Sequence, residues 1–71
     1  MNLRHLLIFK TVVDTGSFTK AAKQLFITQY GVSHAIRELE QQTNDVLFAR
    51  LSQAIILTPA GQFILDNIIQ I

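Results

Sequence analysis

Gly16-Ser17-Phe18-Thr19-Lys20-Ala21-Ala22-Lys23-Gln24-Leu25-Phe26-Ile27-Thr28-Gln29-Tyr30-Gly31-Val32-Ser33-His34-Ala35-Ile36-Arg37-Glu38-Leu39-Glu40 decides the fold. Phe18, Ala21, Ala22 and Leu25 recur at the spacing of one helical stripe, and Val32, Ala35, Ile36 and Leu39 repeat the same offsets. Phe26-Ile27-Thr28 leaves room between the stripes only for a tight turn, with Thr28 placed to cap the next helix. The small pair Ala21-Ala22 lets two helices cross closely. This pattern predicts a helix-turn-helix, the motif whose second helix enters the DNA major groove.

Working outward, Asn2 is placed to cap a first helix over about residues 3–14, with Leu6, Phe9 and Val13 toward the core. Leu3, Leu7, Ile8 and Val12 widen its apolar surface and predict a second contact. Gly16 breaks that helix, Ser17 caps a second over about 18–25, and a third runs from about Gln29 to Thr43. Asn44 stands where a left-handed terminating residue is expected. Val46-Leu47-Phe48-Ala49-Arg50 and Ala54-Ile55-Ile56-Leu57 are β-prone runs around Leu51-Ser52-Gln53, which predicts a hairpin, the wing of a winged helix. Thr58-Pro59 starts a fourth helix that runs to the end of the chain. The expected fold is mainly α, a winged helix-turn-helix over 1–58 followed by a helix from 59 to 71.

Seventy-one residues make one small domain, and with 49% hydrophobic and 15% charged residues its order must come from burial. No cysteine is present, which excludes a disulfide frame and thiolate metal ligation, and two separated histidines make no metal cluster. The run Leu6-Leu7-Ile8-Phe9 is too short to span a membrane, and no signal peptide is read, so a cytoplasmic location is expected. No Gly-rich phosphate loop or paired carboxylate suggests catalysis. Neither an enzyme nor a bound cofactor is expected.

The formal charge of +1 is modest for a nucleic-acid-binding domain, yet its placement is one-sided. From Thr15 to Arg37 there is no acidic residue, while Lys20, Lys23, His34 and Arg37 lie inside. Gln29, Tyr30, Ser33 and His34 fall opposite the apolar stripe of the third helix and are candidate base contacts. Arg37 lies further along, where a phosphate contact is favoured. Ser17, Thr19, Lys20, Lys23, Thr28 and Arg50 complete the phosphate candidates. Capping accounts for Ser17 equally well.

Taken together, these residues resemble the amino terminus of LysR-type transcriptional regulators. Asn2-Leu3-Arg4 with Phe9, Gly16-Ser17-Phe18-Thr19-Lys20-Ala21-Ala22 and Thr28-Gln29 carry the resemblance, followed by Val32-Ser33 and Ile36-Arg37-Glu38-Leu39-Glu40. Leu47-Phe48-Ala49-Arg50 and Leu57-Thr58-Pro59-Ala60-Gly61 complete it in the same order and spacing. Where the family usually has proline this chain has Tyr30, and His34 stands in place of a common arginine. Ser52, Gln53, Ala54 and Ile56 replace glycine and cations of the family's wing, and Thr43 and Asp45 replace apolar residues. The resemblance implies sequence-specific binding of double-stranded DNA as a dimer on an interrupted palindrome. It also implies that the last helix is the start of a linker helix that pairs between subunits. On that basis Ile64, Ile68 and Ile71, at offsets of four and three, are the expected dimer seam. Family members continue into a larger domain sensing a small molecule, so an effector is expected only in a full-length form, and these residues are expected to be a cut or truncated portion of one. The competing expectation is a helical dimerisation module with weak or no DNA binding.

Overall fold

The computed structural model describes residues 2–51 and 54–69, with the side chain of Ile69 outside the description. Helices α1 (Leu3–Thr15), α2 (Phe18–Leu25) and α3 (Gln29–Thr43) precede a hairpin of β1 (Phe48–Leu51) and β2 (Ala54–Leu57), and α4 (Pro59–Ile69) follows. The boundaries of α1, α2 and α3 each have a local chemical cause. Asn2 Oδ1 accepts from His5 N at 2.8 Å, Ser17 Oγ from Lys20 N at 3.1 Å and Thr28 Oγ1 from Gly31 N at 2.9 Å. Gly16 ends α1 in the left-handed region at φ 70°, and Asn44 ends α3 at φ 57°. Phe26 ends α2 at φ 58°, and the bonds from Phe26 N to Lys23 O and from Ile27 N to Ala22 O close a Schellman motif.

The core is built from Ile8, Phe9 and Val12 of α1, Phe18, Ala21 and Ala22 of α2, and Val32, Ala35, Ile36 and Leu39 of α3. Leu47, Phe48 and Ile64 complete it. Ala21 is fully buried at the crossing of α2 with its neighbours, as its small side chain requires. The inward arc of α1 differs from the expected one: Ile8 and Val12 are buried, whereas Leu6 and Val13 are only partly so. One stripe of α1 cannot meet both α2 and α3, so the buried arc widens to include Ile8 and Val12. Leu3 and Leu7 remain exposed at 80% and 56%.

The hairpin is antiparallel, with Phe48 opposite Leu57 and Leu51 opposite Ala54. It begins two residues later than the expected Val46. Leu47 is fully buried, its N–H donates to Glu40 Oε2 at 2.8 Å, and its carbonyl accepts from Thr58 N at 3.0 Å. Both of its backbone groups are therefore committed to α3 and to the start of α4, leaving none for a ladder. Leu51 belongs to β1 and not to the turn; Ser52 and Gln53 lie outside the described residues.

α4 begins as expected, with Thr58 Oγ1 accepting from Gly61 N at 3.1 Å and donating to the carbonyl of Val46. Of the seam expected of Ile64, Ile68 and Ile71, Ile64 is turned into the domain's own core. Ile64 is only 9% exposed and belongs to the domain's own core, Ile68 packs partly against that core, and Ile71 lies outside the described residues. Spacing alone assigned these residues to one stripe, and the domain's own core occupies the part of that stripe at Ile64. α4 therefore shares one core, among the described residues, with the helices and hairpin that precede it. Among the described residues, no helix is long and apolar enough to cross a membrane.

Candidate nucleic-acid interface

Turned away from the core, α3 presents Tyr30, His34, Arg37 and Gln41, each of them exposed, with Gln29 exposed and Ser33 half-buried along one flank. At about 100° per residue Tyr30, His34, Arg37 and Gln41 sit opposite Val32, Ala35, Ile36 and Leu39, whereas Gln29 and Ser33 lie at the edge of that face. Tyr30 and His34 stack, ring centroids 5.9 Å apart and 27° between planes. Lys20, Lys23 and Thr19 form the exposed side of the neighbouring α2. The cap hydroxyls of Ser17 and Thr28 each accept a backbone N–H, which leaves their own O–H free to donate.

Arg50 reaches this side from the wing. Its guanidinium carbon lies 4.3 Å from the centroid of the Phe18 ring, Phe18 meets Phe48 edge-on at 5.9 Å, and Phe48 packs on Phe9 at 5.3 Å. A cation over an aromatic face is held by the ring quadrupole, so Arg50 is tethered while its N–H edge stays open to an anion. The aromatic chain ties the wing to α1 and α2.

The charges divide by sign. Asp14 is 2.9 Å from Lys10, Glu38 lies between His34 and His5, and Glu40 takes the Leu47 N–H. Asp45 accepts from Val46 N, and Asp66 from the Gln62 side chain. All five carboxylates therefore have a partner inside the chain. Lys20, Lys23, Arg37 and Arg50 form no ion pair among the described residues. Lys20 and Lys23 thus stand on α2 with no carboxylate within 4.0 Å among the described residues, whereas Arg37 shares a surface recess with Glu40 and Asp45.

Four contributors to this arrangement were missed at sequence level. Phe18 as the seat of Arg50 and Glu40 reaching seven residues ahead to Leu47 are tertiary contacts with no local signal. Glu38 beside His34 follows the i,i+4 rule and was readable. Phe26, 94% exposed in a left-handed conformation, was assigned to the turn without the exposure being foreseen.

The helix pair, its wing and the polar outer face of α3 define a winged helix-turn-helix domain. The pattern described as "Bacterial regulatory helix-turn-helix protein, lysR family" matches residues 3–62. The chain belongs to that family. It is 42% identical over 57 residues to the HTH-type transcriptional activator AllS of Klebsiella pneumoniae, covering 80% of this chain and 21% of that protein. It is 50% identical over 60 residues to a probable RuBisCO transcriptional regulator of Cyanidioschyzon merolae, covering 84% of this chain and 20% of that protein. The chain spans about a fifth of the length of these relatives. Among solved structures, a BenM_DBD/catB site 1 DNA complex superposes with TM-score 0.92 at 41% identity, covering 99% of this chain and 78% of that one. A CbnR_DBD–DNA complex gives TM-score 0.92 at 31% identity, covering 99% and 80%.

Proposed function

We propose that this chain binds double-stranded DNA sequence-specifically as the DNA-binding part of a transcriptional regulator, with α3 in the major groove. The observation that carries the reading is the exposed polar face of α3, with Tyr30, His34 and Arg37 turned away from the core, beside Lys20 and Lys23 of α2, which have no carboxylate within 4.0 Å among the described residues. That the similar BenM and CbnR domains are solved on DNA supports it. Gln29, Tyr30, Ser33 and His34 are assigned to base edges. Lys20, Lys23, Arg37 and Arg50 are assigned to phosphates, with the hydroxyls of Ser17, Thr19 and Thr28 beside them. Residues 1–58 then supply the DNA-binding unit, and α4 starts a linker helix. The protein acts in the cytoplasm and carries no catalytic activity; any small-molecule effector acts only on a full-length form.

The proposed assembly is a homodimer on an interrupted palindrome. Its support is the apolar surface that α1 and α4 leave open: Leu3, Leu7 and Phe63 are exposed, and Leu3, Leu6, Leu7, Lys10 and Ile68 line a recess between the two helices. Selection from randomised duplexes at several salt concentrations tests both parts. An enriched sequence with two half-sites is expected, with log affinity falling against log salt at a slope near −0.9 per neutralised phosphate. No enriched sequence, or a flat salt response, would leave only the dimerisation module.

A further inference from the structure

The outer face of α3 is polar except near its start, where two aromatic rings meet. Tyr30 and His34, one turn apart, stack with ring centroids 5.9 Å apart and 27° between planes. Helical side chains lean toward the N-terminus of their helix, so His34 reaches back over the turn that carries Tyr30. An offset pair at this separation is attractive, and it narrows the orientations open to the phenol ring. The pair lies outside the core: Tyr30 is 71% exposed and the His34 side chain 51% exposed. Tyr30 is the only exposed large apolar side chain that α3 contributes among the described residues. Its neighbours on that side, Gln29, Ser33, Arg37 and Gln41, all carry hydrogen-bonding groups. The helix therefore offers one apolar surface in the middle of a polar reading face.

We infer that Tyr30, held by His34, reads thymine through its C5-methyl group, by apolar contact and not by a hydrogen bond. This rests on α3 lying in the major groove. The base edges exposed there are donors and acceptors, and the one apolar group among them is the thymine methyl. Packed on the ring, that methyl is removed from water, whereas cytosine at the same place leaves the ring against a bare edge. In this contact His34 is the positioning residue, acting through the ring it stacks on. The phenol hydroxyl has no part in the reading, since a hydroxyl that reached a phosphate would strengthen binding to every sequence alike.

Uracil pairs as thymine does and lacks only the methyl group, so deoxyuridine tests the contact directly. In the selected duplex, each thymine in turn is replaced by uracil and binding to the 71-residue chain is measured. One position in a half-site is expected where uracil weakens binding about fourfold, the effect of burying one methyl group. At that position Tyr30→Ala is expected to bind thymine and uracil equally, and His34→Ala to discriminate less than the native chain. Tyr30→Phe keeps the ring and is expected to keep the discrimination. Replacing so exposed a side chain leaves the core untouched, so a lost preference reports on the contact and not on folding. A half-site without thymine, equal binding of thymine and uracil throughout, or a penalty that survives in Tyr30→Ala overturns the inference while DNA recognition stands. An unchanged penalty in His34→Ala overturns the part given to the stack. Equal losses by Tyr30→Phe on selected and random duplex assign the hydroxyl to phosphate and overturn the inference as well. Absence of any selected sequence removes DNA recognition itself, and this inference with it.

Discussion

Thr28 and Phe26 show how much a single residue settles in this chain. Thr28 fixes where α3 starts, because its hydroxyl takes the Gly31 amide. That start places Gln29 and Ser33 at the beginning of the outer face. Replacing Gln29 or Ser33 by Ala is expected to cost about 1–3 kcal/mol on the selected site and little on random duplex. Equal losses on both, measured by fluorescence anisotropy, would remove the base-reading role. Phe26 is a different case. A phenyl ring in the left-handed region carries a steric penalty of roughly 1–2 kcal/mol, and with 94% exposure it gains almost no burial in return. Asn tolerates that conformation better, so Phe26→Asn is expected to stabilise by about 0.5–1 kcal/mol. Thermal unfolding should register this as a rise of a few degrees, and a lowered midpoint would show that the ring contributes to stability.

At the scale of elements, local chemistry was legible and tertiary contact was not. Asn2, Ser17, Thr28, Asn44 and Thr58 could be read as boundaries because a cap needs only a side chain and an amide three residues away or a tolerated φ. Ile8 and Val12 were misplaced because periodicity gives a stripe, not its width, and α1 meets two helices at once. The start of β1 was missed because Leu47 spends its backbone on Glu40 and Thr58, partners seven and eleven residues away. The candidate site divides in the same way: the outer face of α3 follows from its stripe, whereas Arg50 on Phe18 and His5 beside Glu38 depend on packing. Electrostatics belongs to this scale too, since α2, α3 and the wing each offer cations outside any ion pair among the described residues. Neutralising Lys20, Lys23, Arg37 or Arg50 one at a time is expected to lower the slope of log affinity against log salt by about one unit for each that meets a phosphate. Four unchanged slopes would mean that the DNA lies against another face.

For the whole molecule the decisive residues are those of α4. Ile64 belongs to the core, so Ile64→Ala is expected to cost about 2–5 kcal/mol of folding stability in urea titration. Phe63, 69% exposed, is expected to affect assembly instead. Phe63→Ser together with Ile68→Ser should weaken self-association in sedimentation equilibrium more than it weakens the fold. The same association constant in both chains would exclude this surface from the dimer. Periodicity could not separate the two roles, because an apolar stripe reads alike whether its own domain or a partner covers it. Gly61 adds a second constraint: a Cβ there would collide with the Leu47 carbonyl oxygen and with Leu57 Cδ1. Gly61→Ala is therefore expected to destabilise by about 1–3 kcal/mol, and an unchanged urea midpoint would show that α4 can shift to admit a methyl group.

That close seat of α4 has a mechanical consequence. Gly61 lies against the backbone entering β1, Thr58 bonds both Val46 and Leu47, and Glu40 bolts the same Leu47 to α3. A torque applied along α4 would pass through these bonds to the recognition helix. Swinging α4 by a few degrees would carry the wing and α3 as one block, leaving the internal geometry of the reading face unaltered. In a pair of such domains, the angle between their α4 helices would then set the distance separating the two reading faces, as the opening of a pair of dividers sets the distance between its points.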